Sequence, residues 1–267
     1  MLGENIVFNG YGITDTGKRR SQNEDFFICD PEKAIFLVAD GVGGESGGEV
    51  ASRLAAEHFV RLITPFVLDS DATIPFNHPN NGDLFQSTLA HAVEGANAAV
   101  IDFAEEHKTH RGMGSTLTAA IFHEDRIYVA HIGDSRLYRV REDDMQQVTE
   151  DHTKVQEMVK ENILAIEEAR KHPQRHIITR CVGRKKQSKP DIFSIDYSTE
   201  DIFLLSSDGL HDMLRDEEIR LIVVHAETLE QAGKRLIEAA NEKGGKDNIT
   251  VVLFQPYSVS EQESPVR

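Results

Sequence analysis

The sequence has few of the features that mark secreted and membrane proteins. It contains 2 cysteines in 267 residues, too few for a disulfide framework, so we expect a reducing, cytoplasmic environment. The longest uninterrupted apolar run, residues 34–39, is far too short to cross a bilayer. The first stretch, MLGENIVFNGYG, has neither a positive nor a long apolar region, so we expect no secretory signal and no membrane insertion.

Positive charge is also scarce. The chain carries 29 basic and 45 acidic side chains, for a formal charge of -16. This balance argues against general affinity for nucleic acid backbones or anionic membranes. It suits a site that concentrates cations, although a solvated acidic surface explains it equally well. No Pro/Ser-rich linker divides the chain, which is long enough to bury a sizeable core, so we expect one domain.

Several familiar catalytic signatures are missing. Neither Cys29 nor Cys181 is followed by arginine in the C-x5-R spacing of cysteine phosphatases, and no G-x-S-x-G elbow or G-x-x-x-x-G-K-[ST] loop occurs. His172 and His176 have helical i, i+4 spacing, but Pro173 lies between them. We therefore interpret them as surface histidines rather than a zinc pair.

The stretch IFLVADGVGG, residues 35–44, contains the most informative pattern. Its apolar run predicts a buried strand that ends at Asp40, and the glycines that follow leave backbone carbonyls uncovered. A single such case is most simply an Asp-Gly turn. The pattern recurs, however. Acidic residues also stand at predicted strand ends at Glu24, Asp25, Asp134, Asp208 and Asp247.

Carboxylates that converge repel each other unless cations lie between them. Oxygen ligands of this kind favour Mg²⁺ or Mn²⁺ over Zn²⁺. Two such ions about 3.5 to 4 Å apart can activate a bridging water for in-line attack on a phosphoryl group. The guanidinium of Arg20 offers paired donors for two phosphate oxygens. Hydrolysis of a phosphoester is the simplest reaction for this set of residues.

Periodicity predicts strands, two helices, strands, two helices and a final strand. The helices are predicted at residues 47–63, 84–107, 216–224 and 228–243, with a surface loop over 64–83. Residues 112–149 indicate a meander of three or four antiparallel strands, and 249–254 a closing strand. The polar stretch that begins near residue 150, with short helices at 154–160 and 166–171, resembles a lid lying over one edge of the fold.

Eight motifs together resemble those of one family, the metal-dependent protein serine/threonine phosphatases of the PP2C (PPM) family. They are RSQNED (20–25), VADGVGG (38–44), GMGSTLTAA (112–120), HIGDSRLYR (131–139), TEDHT (149–153), ITRCVG (178–183), LLSSDGL (204–210) and KDNITVV (246–252). Their order and span make the resemblance highly specific. The HP-x-R-x-x-x-TR segment at 172–180 is most similar to bacterial single-domain members.

The resemblance implies an α+β fold, a four-layer α-β-β-α sandwich of two antiparallel β-sheets flanked by helices. The phosphatase domain would cover residues 1–256, with a flap at about 153–180 that influences substrate choice, and residues 257–267 would form a disordered polar tail. The implied activity is hydrolysis of phosphoserine and phosphothreonine on proteins by a water or hydroxide between two Mn²⁺ or Mg²⁺ ions. The implied partners are phosphorylated proteins that are substrates of a cognate Ser/Thr kinase, and the chain would be a monomer.

The resemblance also assigns metal ligands. Asp40 would bridge the two ions, and Gly41 would offer its carbonyl oxygen. Asp208 and Asp247 would complete the coordination of the second ion. Asp134 would hold a third, weaker ion.

Further roles lie around these ligands. Glu24 would bind through water, with Asp25 supporting the ligands from behind, and Arg20 would receive the substrate phosphate. Gly114 and Ser115 would shape the nearby backbone. Animal relatives carry a histidine, thought to protonate the leaving alcohol, where this chain has Val42, so activity is expected without that general acid.

Two other functions fit parts of the pattern. One is a phosphatase-like binding module without catalysis, which should have lost ligands that are all present here. The other is a metal hydrolase acting on small phosphoesters or phosphodiesters.

Overall fold

The computed structural model describes residues 5–43, 47–69, 83–184 and 189–259. Its strands are β1 (Asn5–Asp15), β2 (Asp25–Asp30), β3 (Ile35–Val42), β4 (Gly114–Ser115), β5 (Leu117–His123), β6 (Arg126–Ile132), β7 (Arg136–Arg141), β8 (Asp144–Gln147), β9 (Asp191–Ile195), β10 (Ile202–Ser206) and β11 (Ile249–Val259). Its helices are α1 (Gly47–Leu68), α2 (Leu84–Glu106), α3 (Lys154–Lys160), α4 (Ile166–Ala169), α5 (Asp208–His211), α6 (Asp216–Val224) and α7 (Leu229–Glu242), with a 3₁₀ turn at Lys108–His110.

The strands form two antiparallel sheets packed face to face. One sheet has the order β1-β11-β10-β7-β8, and the other has the order β2-β3-β5-β6-β9 with β4 paired to β3. Helices α1 and α2 cover the outer face of the β3 sheet, and α5, α6 and α7 cover the outer face of the β11 sheet. The predicted four-layer α-β-β-α sandwich is confirmed.

Strand β3 shows why its sequence is continuously apolar. Ile35, Leu37 and Ala39 pack against the helices, whereas Phe36 and Val38 point into the core between the sheets. The ring of Phe36 stacks on Phe254 of the other sheet, with centroids 4.1 Å apart. Because both faces of β3 are buried, period-two alternation is lost and only an apolar run remains.

Helix α1 is longer than its sequence pattern indicates. The predicted loop from residue 64 is wrong for residues 64–68, which continue the helix to Leu68 with Pro65 inside it. Proline cannot donate a backbone hydrogen bond. The side chain of Thr64 donates to the carbonyl of Val60 (2.7 Å), and Phe66 and Val67 pack against the core. Packing thus outweighs the local signal of Pro65, and residues 70–82 lie outside the described part of the chain.

The predicted single meander over residues 112–149 is also wrong. Strands β5 and β6 form a hairpin in one sheet, but β7 and β8 belong to the other, where β7 pairs with β10. The chain crosses between sheets at Gly133, whose φ of +118° is readily adopted by glycine. A tight turn and a crossover have the same local sequence signal, so strand pairing could not be read from it.

The predicted flap emerges from one edge of the sandwich. Its ends are held together by an isolated bridge between Thr153 and Ile178, and the amide of Lys154 donates to the carbonyl of Ile177 (2.9 Å). Helix α3 has the predicted bounds, whereas α4 ends two residues earlier, at Ala169.

The C-terminal strand exceeds its prediction. Strand β11 continues past Phe254 to Val259, because residues 255–259 pair with the start of β1. The predicted tail boundary at residue 257 is therefore too early, and residues 260–267 lie outside the described residues.

Two further expectations concern the whole chain. Cys29 and Cys181 are not joined in a disulfide. Among the described helices, none combines the length and apolar character needed to span a membrane.

Candidate active site

The strand ends that carry the predicted acidic residues meet at one edge of the sandwich. Strands β3 and β10 finish there, β2 and β11 begin there, and the β6-β7 crossover passes over the same edge. A cleft of about 790 Å³ opens between them. It is lined by Arg20, Glu24, Asp40, Gly41, Asp134, Asp208 and Asp247. Asp25 lies directly beneath, 7% exposed.

Asp40 occupies the point where β3 leaves the core, and its backbone is fixed on both sides. Its amide donates to the hydroxyl of Thr116 (2.8 Å), and its carbonyl accepts from the amide of Thr116 (2.9 Å) and the hydroxyl of Ser115 (3.0 Å). Ser115 therefore contacts the backbone of Asp40 directly. Thr116 was not singled out from the sequence. Its hydroxyl also bonds Ser135 (2.7 Å), which couples Asp40 to the crossover that carries Asp134.

Gly41 is required by close backbone approach. A Cβ at this position would lie 2.1 Å from the carbonyl oxygen of Gly48 and 2.7 Å from that of Glu24. The amide of Gly41 donates to the carbonyl of Glu24 (3.1 Å), which also accepts from the hydroxyl of Ser52 in α1 (2.6 Å). The start of β2, the end of β3 and the first turn of α1 are thus locked together around the cleft.

Asp208 and Asp247 approach from the other sheet. Asp208 begins the short helix α5, which the sequence did not predict, and its Oδ1 is buried without a hydrogen-bond partner among the described residues. Asp247 accepts from Arg20 Nη2 through Oδ2 (2.5 Å), and its Oδ1 accepts from the amide of Asn248 (2.9 Å). Its neighbour Asn248 is 4% exposed.

Asn248 fixes the loop that carries Arg20, a role not recognised from the sequence. Its Oδ1 accepts from the amide of Glu24 (2.8 Å), and its Nδ2 donates to the carbonyls of Thr16 (2.9 Å) and Gln22 (2.8 Å). The KDN order could have suggested an Asx turn, but its long-range partners could not be read from it.

The carboxyls in the cleft strongly oppose each other's ionisation. Burial, followed by repulsion from neighbouring aspartates, raises the pKa of Asp40 and of Asp208 well above the ordinary value. Burial raises the pKa of Asp134 to about 7 and that of Asp25 to about 6. Burial also raises the pKa of Glu24. Among the described residues that line the cleft, Arg20 forms a salt bridge with Asp247.

This donor set fits hard divalent cations. It offers carboxylate oxygens, the Asp208 oxygen without a partner and a carbonyl at Gly41, where only glycine fits. A divalent ion among these groups would compensate the charge that the fold gathers.

Residues from the flap and α5 also reach the cleft. Arg175, His176 and Asp212 line it, and His176 Nδ1 lies 3.3 Å from Asp212 Oδ2. Ligand atoms of His176, Asp208 and Asp212 lie within 4.8 Å of one another. His176 was interpreted only as a surface histidine, and it is indeed half exposed, but it faces the acidic cleft. His172 instead accepts from the amide of Gln174 (3.2 Å), so no histidine pair forms.

Comparisons with known proteins agree with this geometry. The model of a protein family described as protein phosphatase 2C matches residues 17–253. The serine/threonine phosphatase Stp of Listeria innocua is 34% identical over 245 residues, covering 91% of this chain and 93% of that protein. The crystal structure of the Mycobacterium tuberculosis phosphatase PstP/Ppp matches with a TM-score of 0.81 at 34% identity, covering 93% of this chain and 98% of that one.

A PstP catalytic domain in complex with 2 manganese ions also matches, with a TM-score of 0.80 at 34% identity, covering 94% of this chain and 99% of that one. Fold, cleft and comparisons together define a metal-dependent protein phosphatase. The chain belongs to the protein phosphatase 2C (PPM) family, of the bacterial type, and is a protein serine/threonine phosphatase.

Proposed function

We propose that this chain hydrolyses phosphoserine and phosphothreonine in proteins, with the reaction at the acidic cleft. The observation that carries the proposal is the convergence of Asp40, Asp208 and Asp247 from two different sheets on one cleft. Repulsion between clustered carboxylates destabilises the fold. A cluster of this kind therefore indicates a functional site.

The proposed metal ligands are those that the family resemblance assigns. Asp40 would bridge two Mn²⁺ or Mg²⁺ ions, Gly41 would contribute its carbonyl, and Asp208 and Asp247 would complete the second ion. When bound, such ions supply an activated water between them and offset the charge of the phosphoryl group. Asp134 would hold a third ion. It is buried at the crossover, so its position relative to Asp40 is set by Thr116 and Ser135.

Glu24 and Asp25 have supporting roles in this proposal. Glu24 would reach the ions through water, and burial raises the pKa of its carboxyl. Asp25 accepts from the hydroxyls of Ser207 (2.7 Å) and Thr250 (2.6 Å), which orient it behind Asp40.

Arg20 would receive the substrate phosphate. Its side chain is 47% exposed, stands on the rim of the cleft and has donors left beyond the one given to Asp247. Val42 occupies the position where animal relatives carry histidine, and an aliphatic side chain can transfer no proton. The leaving alkoxide would therefore take its proton from water.

The proposed partners follow from the reaction. Phosphorylated proteins are the substrates, and a Ser/Thr kinase that phosphorylates them is the opposing enzyme. The two cysteines without a disulfide suit a reducing cytoplasm. We propose that the chain acts there as a monomer.

A phosphothreonine peptide assayed with Mn²⁺, and then with excess chelator, tests the proposal. We expect turnover that disappears on chelation and returns with the metal. Asp208→Asn should lower kcat by at least about a hundredfold, whereas Asp196→Asn, at a surface position whose side chain is 90% exposed, should not. Turnover that survives chelation, or faster hydrolysis of a nucleotide than of the phosphopeptide, would contradict it.

A further inference from the structure

A basic groove lies beside the active-site cleft, on the far side of β4. It is a depression of about 820 Å³ between the end of α2 and the segment after the flap. Lys108, Arg111 and Arg184 supply its charge, and Ala104 contributes to its apolar floor. Among the described residues that line it, only Glu105 is acidic. We call these residues the basic groove.

The three cations are available to a ligand. Lys108, Arg111 and Arg184 are all exposed, and within the described ranges none of them forms a salt bridge. The chain as a whole has a formal charge of -16, so an acidic ligand is repelled by most of its surface. This local cluster of exposed cations is where such a ligand can bind.

Arg184 is held in place by the scaffold although it is exposed. Val182 exchanges two backbone hydrogen bonds with Ser115 (3.1 and 2.9 Å), and the amide of Gly183 donates to Asn97 Oδ1 (2.7 Å). The Arg184 side chain lies on Gly114, where an added Cβ would be 3.2 Å from its Cγ and 3.4 Å from its Nε. Ordering this arginine for binding therefore costs less entropy than ordering a free surface side chain.

The groove adjoins the cleft directly. Gly114, under Arg184, pairs in register with Val42, and Val42 lines the cleft. Paired strands are about 4.8 Å apart, and an extended peptide advances about 3.3 Å per residue. A peptide with its phosphorylated residue in the cleft would therefore place some of its flanking residues over the groove.

We propose that the basic groove binds acidic side chains that flank the phosphorylated residue of the protein substrate. The site would thus favour phosphoproteins with acidic flanking sequence. This inference rests on the proposed function, and it adds a recognition surface outside the acidic cleft.

Charge reversal in the groove tests the inference. Three substrates are compared: a phosphothreonine peptide with glutamates three to five residues away on both sides, the same peptide with serines there, and p-nitrophenyl phosphate. The variants are Arg111→Glu, Arg184→Glu and the double variant. Arg235→Glu on α7, also exposed, is the matched control for net charge.

We expect kcat/KM for the acidic peptide to fall about fivefold in each single variant and more than about tenfold in the double variant. The serine peptide and p-nitrophenyl phosphate should change less than about twofold, as should every substrate in Arg235→Glu. The preference of wild type for the acidic peptide should shrink in high salt, because added ions screen exposed charges. Unchanged hydrolysis of p-nitrophenyl phosphate also shows that a variant is folded.

Several outcomes would overturn the inference. One is an equal fall for acidic and serine peptides, and another is no fall at all. If the second outcome is accompanied by loss of the binding of wild type to phosphatidylserine vesicles, the groove is a membrane contact instead. If wild type hydrolyses the serine peptide but does not prefer the acidic peptide, the role of the groove is contradicted and the proposed function is not. If wild type hydrolyses none of the three substrates, the proposed function is contradicted as well.

Discussion

Asp25 and Asp40 lie opposite each other in the register between β2 and β3, and burial, followed by the charge of Asp25, raises the pKa of Asp40. Asp25 also accepts from the hydroxyls of Ser207 and Thr250 on the other sheet. Asp25 therefore links the strand paired with Asp40 to the other sheet, although it does not itself line the cleft.

Replacement of Asp25 should weaken activation by Mn²⁺ more than it lowers the activity at saturating Mn²⁺. We expect Asp25→Asn to raise the Mn²⁺ concentration for half-maximal activity by about 10- to 100-fold, because groups that orient metal ligands have effects of this size. Activity at saturating Mn²⁺ should recover most of its wild-type value. Asp30→Asn, at the other end of β2, is the control and should leave the activation curve unchanged. Equal curves for wild type and Asp25→Asn would show that Asp25 does not orient Asp40.

Asn248 should act as a positioning residue for Arg20. Asn248→Asp keeps the oxygen that accepts from Glu24 but loses the donors to Thr16 and Gln22. With the loop released, we expect KM for a phosphopeptide to rise about tenfold or more, with a smaller change in kcat. Asn241→Ala, which removes the donor to Asp15 (3.0 Å) without adding a charge, is the control. A fall in kcat without change in KM would contradict this role.

The acidic cluster should make stability depend on pH in a characteristic direction. Asp134 and Asp25 have folded-state pKa values of about 7 and about 6, raised from 3.8. The folded protein therefore keeps protons that the unfolded chain has lost, so stability falls as pH rises through these values. In chelator, we expect the Tm to drop between about pH 6 and about pH 8 and Mn²⁺ to restore it most at the higher pH.

Asp134→Asn should reduce that drop. Each kcal/mol of stability gained raises the Tm by about 2 to 4 °C for a domain of this size. We expect the variant to have a Tm higher than wild type by an amount of that order at about pH 8 in chelator. Asp196→Asn is again the surface control. Buried His131, whose pKa burial lowers to about 4, acts in the opposite sense, because the unfolded chain takes up its proton as pH falls below about 6.5. A Tm in chelator that rises steadily towards pH 8 would contradict the assigned pKa directions.

The flap should depend on one buried ion pair at its base. Arg136 on β7 donates to both oxygens of Asp151 (2.8 and 2.6 Å) and to Tyr138 Oη (2.9 Å), just before the flap begins. Arg136→Met leaves the Asp151 carboxylate buried without its cation, which should cost about 3 to 5 kcal/mol in urea unfolding. Arg139→Met, on the same strand, removes only an exposed bond to Gln146 and should cost less than about 0.5 kcal/mol. Similar costs for both variants would show that the pair does not hold the flap base.

The sequence predicts this fold well where chemistry and periodicity are local. Asp40, Asp208 and Asp247 are recognisable because each stands where an apolar run meets glycine or asparagine, and the apolar faces of α2 and α6 give their bounds almost to the residue. The pairing of strands into sheets was harder to predict from the sequence. The crossover at Gly133 has the sequence of an ordinary turn, so assignment of β7 to the other sheet could not be read from it.

Two other misses have the same physical origin. The helical conformation of residues 64–68 is stabilised by burial of Phe66 and Val67 against a core assembled from distant segments. The role of Asn248 depends on partners at Thr16, Gln22 and Glu24, more than two hundred residues earlier in the chain. Tertiary contacts decide both, and local patterns do not contain them.

The most direct test counts the divalent ions bound to the folded protein. Native mass spectrometry or calorimetric titration with Mn²⁺ should find about two or three ions per chain in wild type, and fewer in Asp40→Asn and Asp208→Asn, with the fold intact by circular dichroism. If wild type takes up no Mn²⁺, or both variants bind as many ions as wild type, the cleft is not a metal centre and the account is wrong.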